Sequence, residues 1–452
     1  MTRCLLGTLA LEEEETPVSS VQLPDNTDII KNTAELDVQG RDLTQLNDNL
    51  HDATEATGQL GSIQKAMACQ EAPDTTTAEM ASIAIESIRL KLGMEQAKPI
   101  VALEAFGSAS ANSLGNKLAV DGVMGVIWSI IKAIYDVIKR FFKKLYEFLF
   151  GAKKVIEKHR DRVATYRRYA DALGNASLLS TTYSGVMPGN LSGFITSFKQ
   201  SHLDAKVIGE VLTRQAEVAK AAASSLSTMV SDGSRYNAAI VNYATNSLDP
   251  DKSQLKDAGE LIDLIERDLK PAKECPFIQD TNHRAKDMME RGLFKGQSLF
   301  YEVSTDLQNP KYLRSIFSTS KFILEATETR SVSDMELCDK SELLQLIDIL
   351  TSFVDASERL MENAEKAIKM SGALEKLTKA TEMYLKKDGS YDKDSKTIAL
   401  DVQAAVGMFA GWINVLGVDL VKLNVHATNA AFGYVEICLK ELDKANKNSL
   451  SE

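Results

Sequence analysis

The sequence is poor in residues that break helices and in cysteine patterns that stabilise small folds. Its 452 residues include only 9 prolines and 25 glycines, which leaves room for long helices. The five cysteines are odd in number and far apart, with no CxxC pair, so we predict no disulfide framework and expect a reducing compartment. A chain of this length is long enough for two or three domains with their own cores.

Catalytic and cofactor motifs are also missing. The sequence contains no GxxxxGK[ST] loop, GxGxxG turn, HExxH or GxSxG motif, and its five histidines stand alone. We therefore predict a protein that is not an enzyme and that has no metal or other cofactor. A catalytic site assembled from distant residues would leave no local motif, and it would instead form a polar pocket lined by titratable groups with shifted pKa values.

No targeting or membrane-spanning segment is predicted. The short apolar run near the N-terminus ends in four glutamates, at positions 12–15, rather than in small residues, so it is a poor signal peptide. The nearly unbroken apolar run at 404–418 is shorter than the roughly 20 residues that a bilayer span requires. We expect this run, which surrounds Trp412, to be a buried helix of a bundle.

The acidity of the chain is confined to its N-terminal segment. Residues 1–104 hold 18 of the 63 acids and 7 of the 52 bases, a net charge of −11, and the 45 acids and 45 bases that remain cancel. Residues 12–80 show no sustained apolar period and are predicted to be disordered or weakly helical, with short helices at 41–56 and 77–96. Such a charge asymmetry is typical of arms and removable segments.

The predicted fold is mainly α-helical. Its segments are an acidic, poorly ordered propeptide-like segment (1–104), a small-residue linker (105–122), an amphipathic basic helical segment (123–170), a helical region (171–270), an irregular region (271–335) and a helical bundle (336–452). β-branched and aromatic residues favour a small β hairpin near 298–330. An apolar stripe from Leu343 to Ile368 suits an antiparallel bundle.

The strongest periodic signal is an amphipathic helix over residues 123–150. At about 100° per residue, its apolar and basic residues fall on opposite arcs of the helix. The candidate membrane or partner face consists of Trp128, Ile131, Tyr135, Ile138, Phe142, Leu145, Phe148 and Leu149. The candidate basic face consists of Lys132, Lys139, Arg140, Lys143 and Lys144.

Three environments fit this helix. Its aromatic face is suited to the interface of a membrane with anionic head groups, and its bases are suited to the phosphates of packaged DNA. It is equally suited to be a core helix of the bundle that follows. In the first two cases the acidic segment would neutralise the charge or shield the apolar face until it is removed.

A small-x-Glu triplet stands at the charge boundary. Ala102-Leu103-Glu104 precedes Ala105 in a stretch of linker composition. Similar triplets occur elsewhere, for example Ala84-Ile85-Glu86, so the motif alone is weak. Its position gives it weight, because cleavage after Glu104 would remove the entire net charge and leave a neutral body that begins near a basic helix.

These residues resemble the internal head proteins and related virion structural proteins of large tailed bacteriophages. In those proteins a prohead protease removes an acidic N-terminal segment after a small-or-aliphatic-x-Glu motif, which Ala102-Leu103-Glu104 matches. The Trp- and Lys-rich block at 125–151 is similar to the helix that follows the site in several of them. The resemblance covers residues 80–155.

The resemblance implies a virion protein of the capsid interior that is made in the host cytoplasm. Its implied partners are the prohead protease, other capsid or core proteins, and packaged DNA, with which it would be ejected into the host. The alternative that the residues leave open is a membrane-active toxin or effector that uses the helix at 123–150.

Overall fold

The fold is an assembly of long helices with two small β-sheets, seen in a computed structural model. The structure describes residues 27–69, 113–174, 180–196, 201–246, 254–281, 292–303, 320–326, 332–387 and 393–449, with isolated positions at 83, 86, 87, 90, 178 and 317. Its helices are α1 (Thr27–Cys69), α2 (Ser113–Ala172), α3 (Ala205–Ser231), α4 (Gly233–Asn246), α5 (Gln254–Glu274), α6 (Lys340–Lys387), α7 (Lys393–Asn414) and α8 (Leu420–Ser449). The predicted mainly α-helical class is confirmed.

In the described residues, five short strands lie between the helices. They are β1 (His202–Leu203), β2 (Ile278–Asp280), β3 (Gln297–Glu302), β4 (Lys321–Ala326) and β5 (Asp334–Met335). β3 pairs with β2 in parallel and with β4 in antiparallel, whereas β1 and β5 form a separate parallel pair. The antiparallel pair confirms the small β element that the sequence predicts near 298–330.

Helix α6 lies at the centre of the bundle and packs against α2, α3 and α8. It begins with a capping box, in which the backbone N–H of Glu342 donates to Asp339 at 2.8 Å and the Asp339 N–H donates to the Glu342 carboxylate at 3.1 Å. Its predicted apolar stripe is buried from Leu343 to Ala367. The predicted antiparallel bundle helix is therefore present at this place.

The apolar run around Trp412 is buried in the bundle. Trp412 is almost fully buried, its indole N–H donates to the Ser320 carbonyl at 2.9 Å, and its ring meets Phe322 of β4 edge to face. A π-helical turn, Val415–Asp419, joins α7 to α8 without a break. The continuous stretch Ala404–Ser449 is long and apolar enough to cross a membrane by length and composition, and 78% of its most apolar window is buried inside the protein.

The N-terminal segment differs from its prediction. Residues 27–69 form one helix of 43 residues, where the sequence predicts a disordered or weakly helical segment with a short helix at 41–56. Packing on the bundle stabilises this helix, because most helical stability in proteins comes from the tertiary contacts of an apolar face. The helix predicted at 77–96 lies outside the described residues, except for the four isolated positions.

Candidate interface between the acidic and basic helices

Four apolar residues of α1 repeat at intervals of seven. Ile29, Leu36, Leu43 and Leu50 are buried, and none exposes more than 3% of its surface. Seven residues make nearly two turns of an α-helix, so these side chains form one narrow line along one face. Helix α1 packs through this line against α2, α7 and α8.

Helices α1 and α2 run antiparallel. At one end of their contact, the Asp28 carboxylate lies 3.9 Å from the Lys158 ammonium. At the other end, Lys144 donates a hydrogen bond of 2.6 Å to Asp42. The two acids, Asp28 and Asp42, are 14 positions apart on α1. Their partners, Lys158 and Lys144, are also 14 positions apart on α2, in the opposite direction along the chain. The two ion pairs therefore show the antiparallel register of the helices.

Two glycines allow α1 to approach its neighbours closely. A Cβ atom added at Gly151 of α2 would lie 3.1 Å from a methyl carbon of Leu36. A Cβ atom added at Gly40 of α1 would overlap the Cδ atom of Lys422 on α8. A larger residue at either position would force the neighbouring side chain to move.

Acidic groups of α1 also face α8. The Asp37 carboxylate lies 2.8 Å from the His426 ring nitrogen. The Thr44 hydroxyl donates to Asp419 at 3.5 Å, and Lys422 donates to the same carboxylate at 3.4 Å. Burial raises the pKa of Asp419, and the nearby Lys422 ammonium opposes that rise. The contact between α1 and the bundle thus combines an apolar line with polar contacts on its flanks.

A buried polar chain links three helices at this interface. The His159 ring of α2 lies 2.9 Å from the Asn429 oxygen of α8. The Asn429 amide donates to the Thr33 hydroxyl of α1 at 2.9 Å, and Thr33 donates to the Ile29 carbonyl at 2.8 Å. Burial lowers the pKa of His159 to about 4, although the hydrogen bond to Asn429 acts in the opposite direction. His159 is therefore neutral at physiological pH.

The predicted membrane or partner face of α2 is largely inside the protein wherever its side chains are described. Ile138, Phe142, Leu145, Phe148 and Leu149 are all buried. Helix α2 packs against α1, α6 and α8, which occupy this face. In this conformation these five side chains are not available to a bilayer. Trp128, Ile131 and Tyr135 belong to α2, but their side chains lie outside those that the structure describes.

The predicted basic face lies at the protein surface wherever it is described. Lys139, Arg140 and Lys143 are exposed, and Lys144 is half-buried through its pairing with Asp42. The side chain of Lys132 is outside the described set. The surface of α2 therefore presents a row of cations beside an acidic helix.

The predicted processing residues Ala102, Leu103, Glu104 and Ala105 lie outside the described residues. The last described helical residue of α1 is Cys69, and α2 begins at Ser113. The triplet is thus in the connection between the two helices that form the interface. A cut there would break the covalent link between α1 and the described helices that it contacts.

Three histidines that stand alone in the sequence have polar neighbours in the structure. Besides His159 and His426, His202 lies 3.2 Å from Glu336, and the ligand atoms of His202, Asp204 and Glu336 lie within 4.8 Å of one another. Asp204 already caps α3 by accepting from the Val207 N–H at 2.7 Å. The pairing of His202 with Glu336 and the cap explain this surface cluster without a metal ion.

One open cavity of about 610 Å³ lies between α3 and α6 in the described part of the chain. Lys206, Glu210, Arg214 and Glu342 are its charged lining residues. Burial lowers the pKa of Arg214, and Glu210 opposes that shift. A strongly shifted carboxyl, Asp268, lies on α5 and does not line this cavity. The cavity and the shifted acid are therefore separate features.

Sequence reasoning missed the contact between α1 and the bundle. The signal was present as Ile29, Leu36, Leu43 and Leu50, but one apolar residue in seven is a weak period when it is read alone. The partners of Thr33 and Asp37, at positions 429 and 426, are almost 400 residues away in the sequence. Only the tertiary structure brings them together.

Comparison with known proteins gives one match. A model of the phiKZ-like phage internal head proteins matches residues 31–437, which is most of the chain and includes α1 from Lys31 onward. No curated protein and no solved structure matches the chain. The matched range extends over both sides of the interface between the acidic and basic helices.

Proposed function

The chain belongs to the phiKZ-like phage internal head proteins, and from this premise we propose that it enters the head with residues 1–104 attached and is then cut after Glu104. As an internal head protein it lies in the interior of the virion capsid with other head components. The observation that carries the proposal is the packing of the acidic helix α1 along the basic helix α2. Helix α1 holds seven acids and three bases, a net charge of −4.

The position of the cut relative to this contact supports a processing role. Helix α1 lies within residues 1–104, and the helices that it contacts, α2, α7 and α8, lie within residues 105–452. Cleavage after Glu104 would turn an internal helix contact into a contact between two chains. It would also remove the net charge of −11 from a body whose acids and bases balance.

The proposed mature protein is packaged with DNA and ejected with it into the host. Lys139, Arg140 and Lys143 are exposed on α2 and are suited to contact phosphates without reading base sequence. In the uncut chain the Asp42 carboxylate pairs with the Lys144 ammonium. The negative net charge of α1 also repels phosphate groups from this side of α2. We propose a structural role rather than a catalytic one, with the prohead protease and other core proteins as partners.

The cleavage is tested on protein taken from native particles. Intact-mass measurement and N-terminal sequencing should find a chain that begins at Ala105 in mature heads and at Met1 in unprocessed proheads. Glu104→Gln should leave the chain uncut at this position, because the protease motif requires the glutamate.

Glu86→Gln changes another small-x-Glu triplet and provides the matched control. This variant should still yield a mature chain that begins at Ala105. Mature heads in which the wild-type chain still begins at Met1 would refute the proposal.

A further inference from the structure

Two aromatic rings stand on the solvent-exposed side of α2. Tyr146 and Phe150 expose 56% and 54% of their surface, and in the described part of the chain they are the only exposed aromatic residues. Because they are four positions apart on one helix, they lie on the same face, with Cβ atoms about 5 to 6 Å apart. Their neighbours Phe141, Phe142 and Phe148 are buried. The two exposed rings therefore do not serve the packing of this helix.

Lysines surround the two rings. Lys143, Lys153 and Lys154 are exposed, and together with Tyr146 and Phe150 they fall within an arc of about 100° on the helix. We call these five residues the outer face of α2. The Lys154 ammonium lies 4.3 Å from the centre of the Phe150 ring. A cation and an aromatic plane are thus within reach of the phosphate and the base of one nucleotide.

The charge around the rings is almost entirely positive. From Lys139 to Lys154 the chain has six lysines or arginines and one acid, Glu147. Lys139 and Arg140 are exposed and extend the row of cations beyond the outer face toward the start of α2. This surface is therefore complementary to a polyanion.

We infer that the outer face of α2 binds single-stranded DNA, with its lysines on the phosphates and the rings of Tyr146 and Phe150 stacked on unpaired bases. Aromatic stacking beside a positively charged track is how proteins hold single strands without reading their sequence. The inference rests on the proposed contact with DNA and adds the class of DNA to it. The outer face is exposed with α1 in place, so the uncut chain presents it as well.

The spacing of the rings favours unpaired bases over a duplex. Bases in a duplex are paired and follow each other at about 3.4 Å, so a helix that lies against the duplex backbone meets phosphates and leaves exposed rings without a partner. A single strand can turn its bases toward two rings that stand about 5 to 6 Å apart. Every base has a flat face, so this stacking tolerates any sequence.

The burial of the other side of α2 favours a nucleic acid over a lipid surface. A helix that lies in a membrane interface needs a broad apolar face. The described apolar residues that would form such a face are buried in the bundle: Ile138, Phe142, Leu145, Phe148 and Leu149. Two rings among lysines offer contacts of the size of a base instead.

The test measures binding by the full-length chain at low salt. Fluorescence anisotropy compares a labelled oligothymidylate of about 20 nucleotides, which forms no base pairs, with a duplex of the same length. Tyr146→Ala combined with Phe150→Ala should weaken binding of the single strand by about 30-fold, because two stacking contacts are lost. Duplex binding should stay within about twofold of wild type, because phosphate contacts do not use the rings.

The matched control exchanges the two rings. Tyr146→Phe combined with Phe150→Tyr keeps both aromatic planes and should bind both DNAs like wild type. A second measurement needs only the wild-type chain, in which a single strand that carries bromodeoxyuridine is crosslinked by light. The crosslink should fall in the tryptic peptide 145–153, which contains both rings.

Equal binding of the single strand by wild type and by the double alanine variant, or crosslinks confined to other peptides, would overturn the inference. Duplex binding that persists in that case would leave the proposed contact with DNA intact, whereas a wild-type chain that binds neither DNA would refute both. Tighter binding of oligouridylate than of oligothymidylate would overturn the assignment to DNA. Vesicles of phosphatidylserine and phosphatidylcholine that bind wild type and not the alanine variant, without a ring effect on the single strand, would assign the rings to a membrane.

Discussion

Two buried ionisable side chains respond to pH in opposite directions. Burial lowers the pKa of His159 to about 4, because it disfavours the charged imidazolium. Burial raises the pKa of Asp268 to about 7, because it disfavours the carboxylate more than the hydrogen bond from Tyr236 and the charge of Arg267 favour it. Their effects on stability therefore oppose each other between pH 5 and pH 7.

The folded pKa of His159 lies below the ordinary histidine value of 6.5. At a pH between these two pKa values, His159 is protonated in the unfolded chain but not in the folded chain. The folded state therefore loses stability as the pH falls. Because of His159, the free energy of unfolding of the wild-type protein should fall by about 2 kcal/mol as the pH is lowered from 7 to 5. In His159→Gln, urea unfolding should show that this loss has disappeared. An unchanged slope in His159→Gln would contradict the assignment.

Asp268 gives the reverse dependence. Its folded pKa lies above the ordinary value of 3.8, so the folded chain binds the extra proton and stability is lost as the pH rises toward 7. In the wild-type protein this should lower the free energy of unfolding by about 2 kcal/mol as the pH rises from 5 to 7, and Asp268→Asn should remove that loss. The asparagine oxygen can still accept the hydrogen bond from Tyr236. The same urea titration measures it. If Asp268→Asn keeps the wild-type pH dependence, the Asp268 carboxyl is not buried in solution.

At the scale of the element, α1 depends on its packing against the bundle, because most helical stability in proteins comes from tertiary contacts. Its fully buried apolar side chains in the described part are Ile29, Leu36, Leu43 and Leu50, and Leu46 packs partly buried against the same core. Its buried side chains are described only as far as residue 50, so each of them makes up a large part of the known contact. Loss of one should loosen the helix without unfolding the bundle.

Leu43→Ala tests this dependence. Removal of this fully buried leucine side chain should lower the free energy of docking of α1 on the bundle by about 2 to 5 kcal/mol. Hydrogen exchange measured by mass spectrometry should speed up in α1 and stay unchanged in α6. Val38→Ala truncates an exposed residue of the same helix and should change neither. Equal acceleration in α1 and α6 would show instead that the two helices unfold as one unit.

The sequence predicts some elements well and others poorly, for physical reasons. Helix α6 could be predicted because its apolar stripe recurs every three to four residues, and β3 and β4 because β-branched and aromatic residues cluster there. Helix α1 could not be predicted in this way, because its line of one buried apolar residue in seven stabilises a helix only when the surface of the bundle is already there to pack against. The basic helix was predicted as an element, but the burial of Phe142 and Phe148 depends on helices that lie far away in the sequence.

At the scale of the whole molecule, charge divides the chain into an acidic arm and a neutral body with a basic face. This division could be predicted from the sequence, because net charge is a property of composition. The contact of the arm with the body could not, because the ion pairs of Asp28 and Asp42 depend on tertiary register.

DNA binding by the chain that begins at Ala105 should depend on the basic face of α2. Changing Lys139, Arg140 and Lys143 together to Glu should weaken binding at low salt, because each phosphate contact releases counterions. The slope of log K against log salt should become shallower by up to about 3. Fluorescence anisotropy with duplexes of two unrelated sequences measures both effects.

The control changes the same charge elsewhere on the surface, with Lys206, Lys220 and Lys270 changed together to Glu. These lysines are exposed on α3 and α5, and their variant should keep the wild-type slope. Equal weakening by both triple variants would assign the binding to overall charge rather than to α2.

A cut between the antiparallel helices α1 and α2 would change how the two helices are held together. A covalent connection holds two contacting parts at an effective concentration that is roughly millimolar for a short flexible link. Cleavage in the connection alters none of the ion pairs of Asp28 and Asp42, and it replaces that effective concentration with the real concentration of the two fragments. After the cut, α1 would stay on the bundle only where the concentration of the fragments exceeds the dissociation constant of their contact.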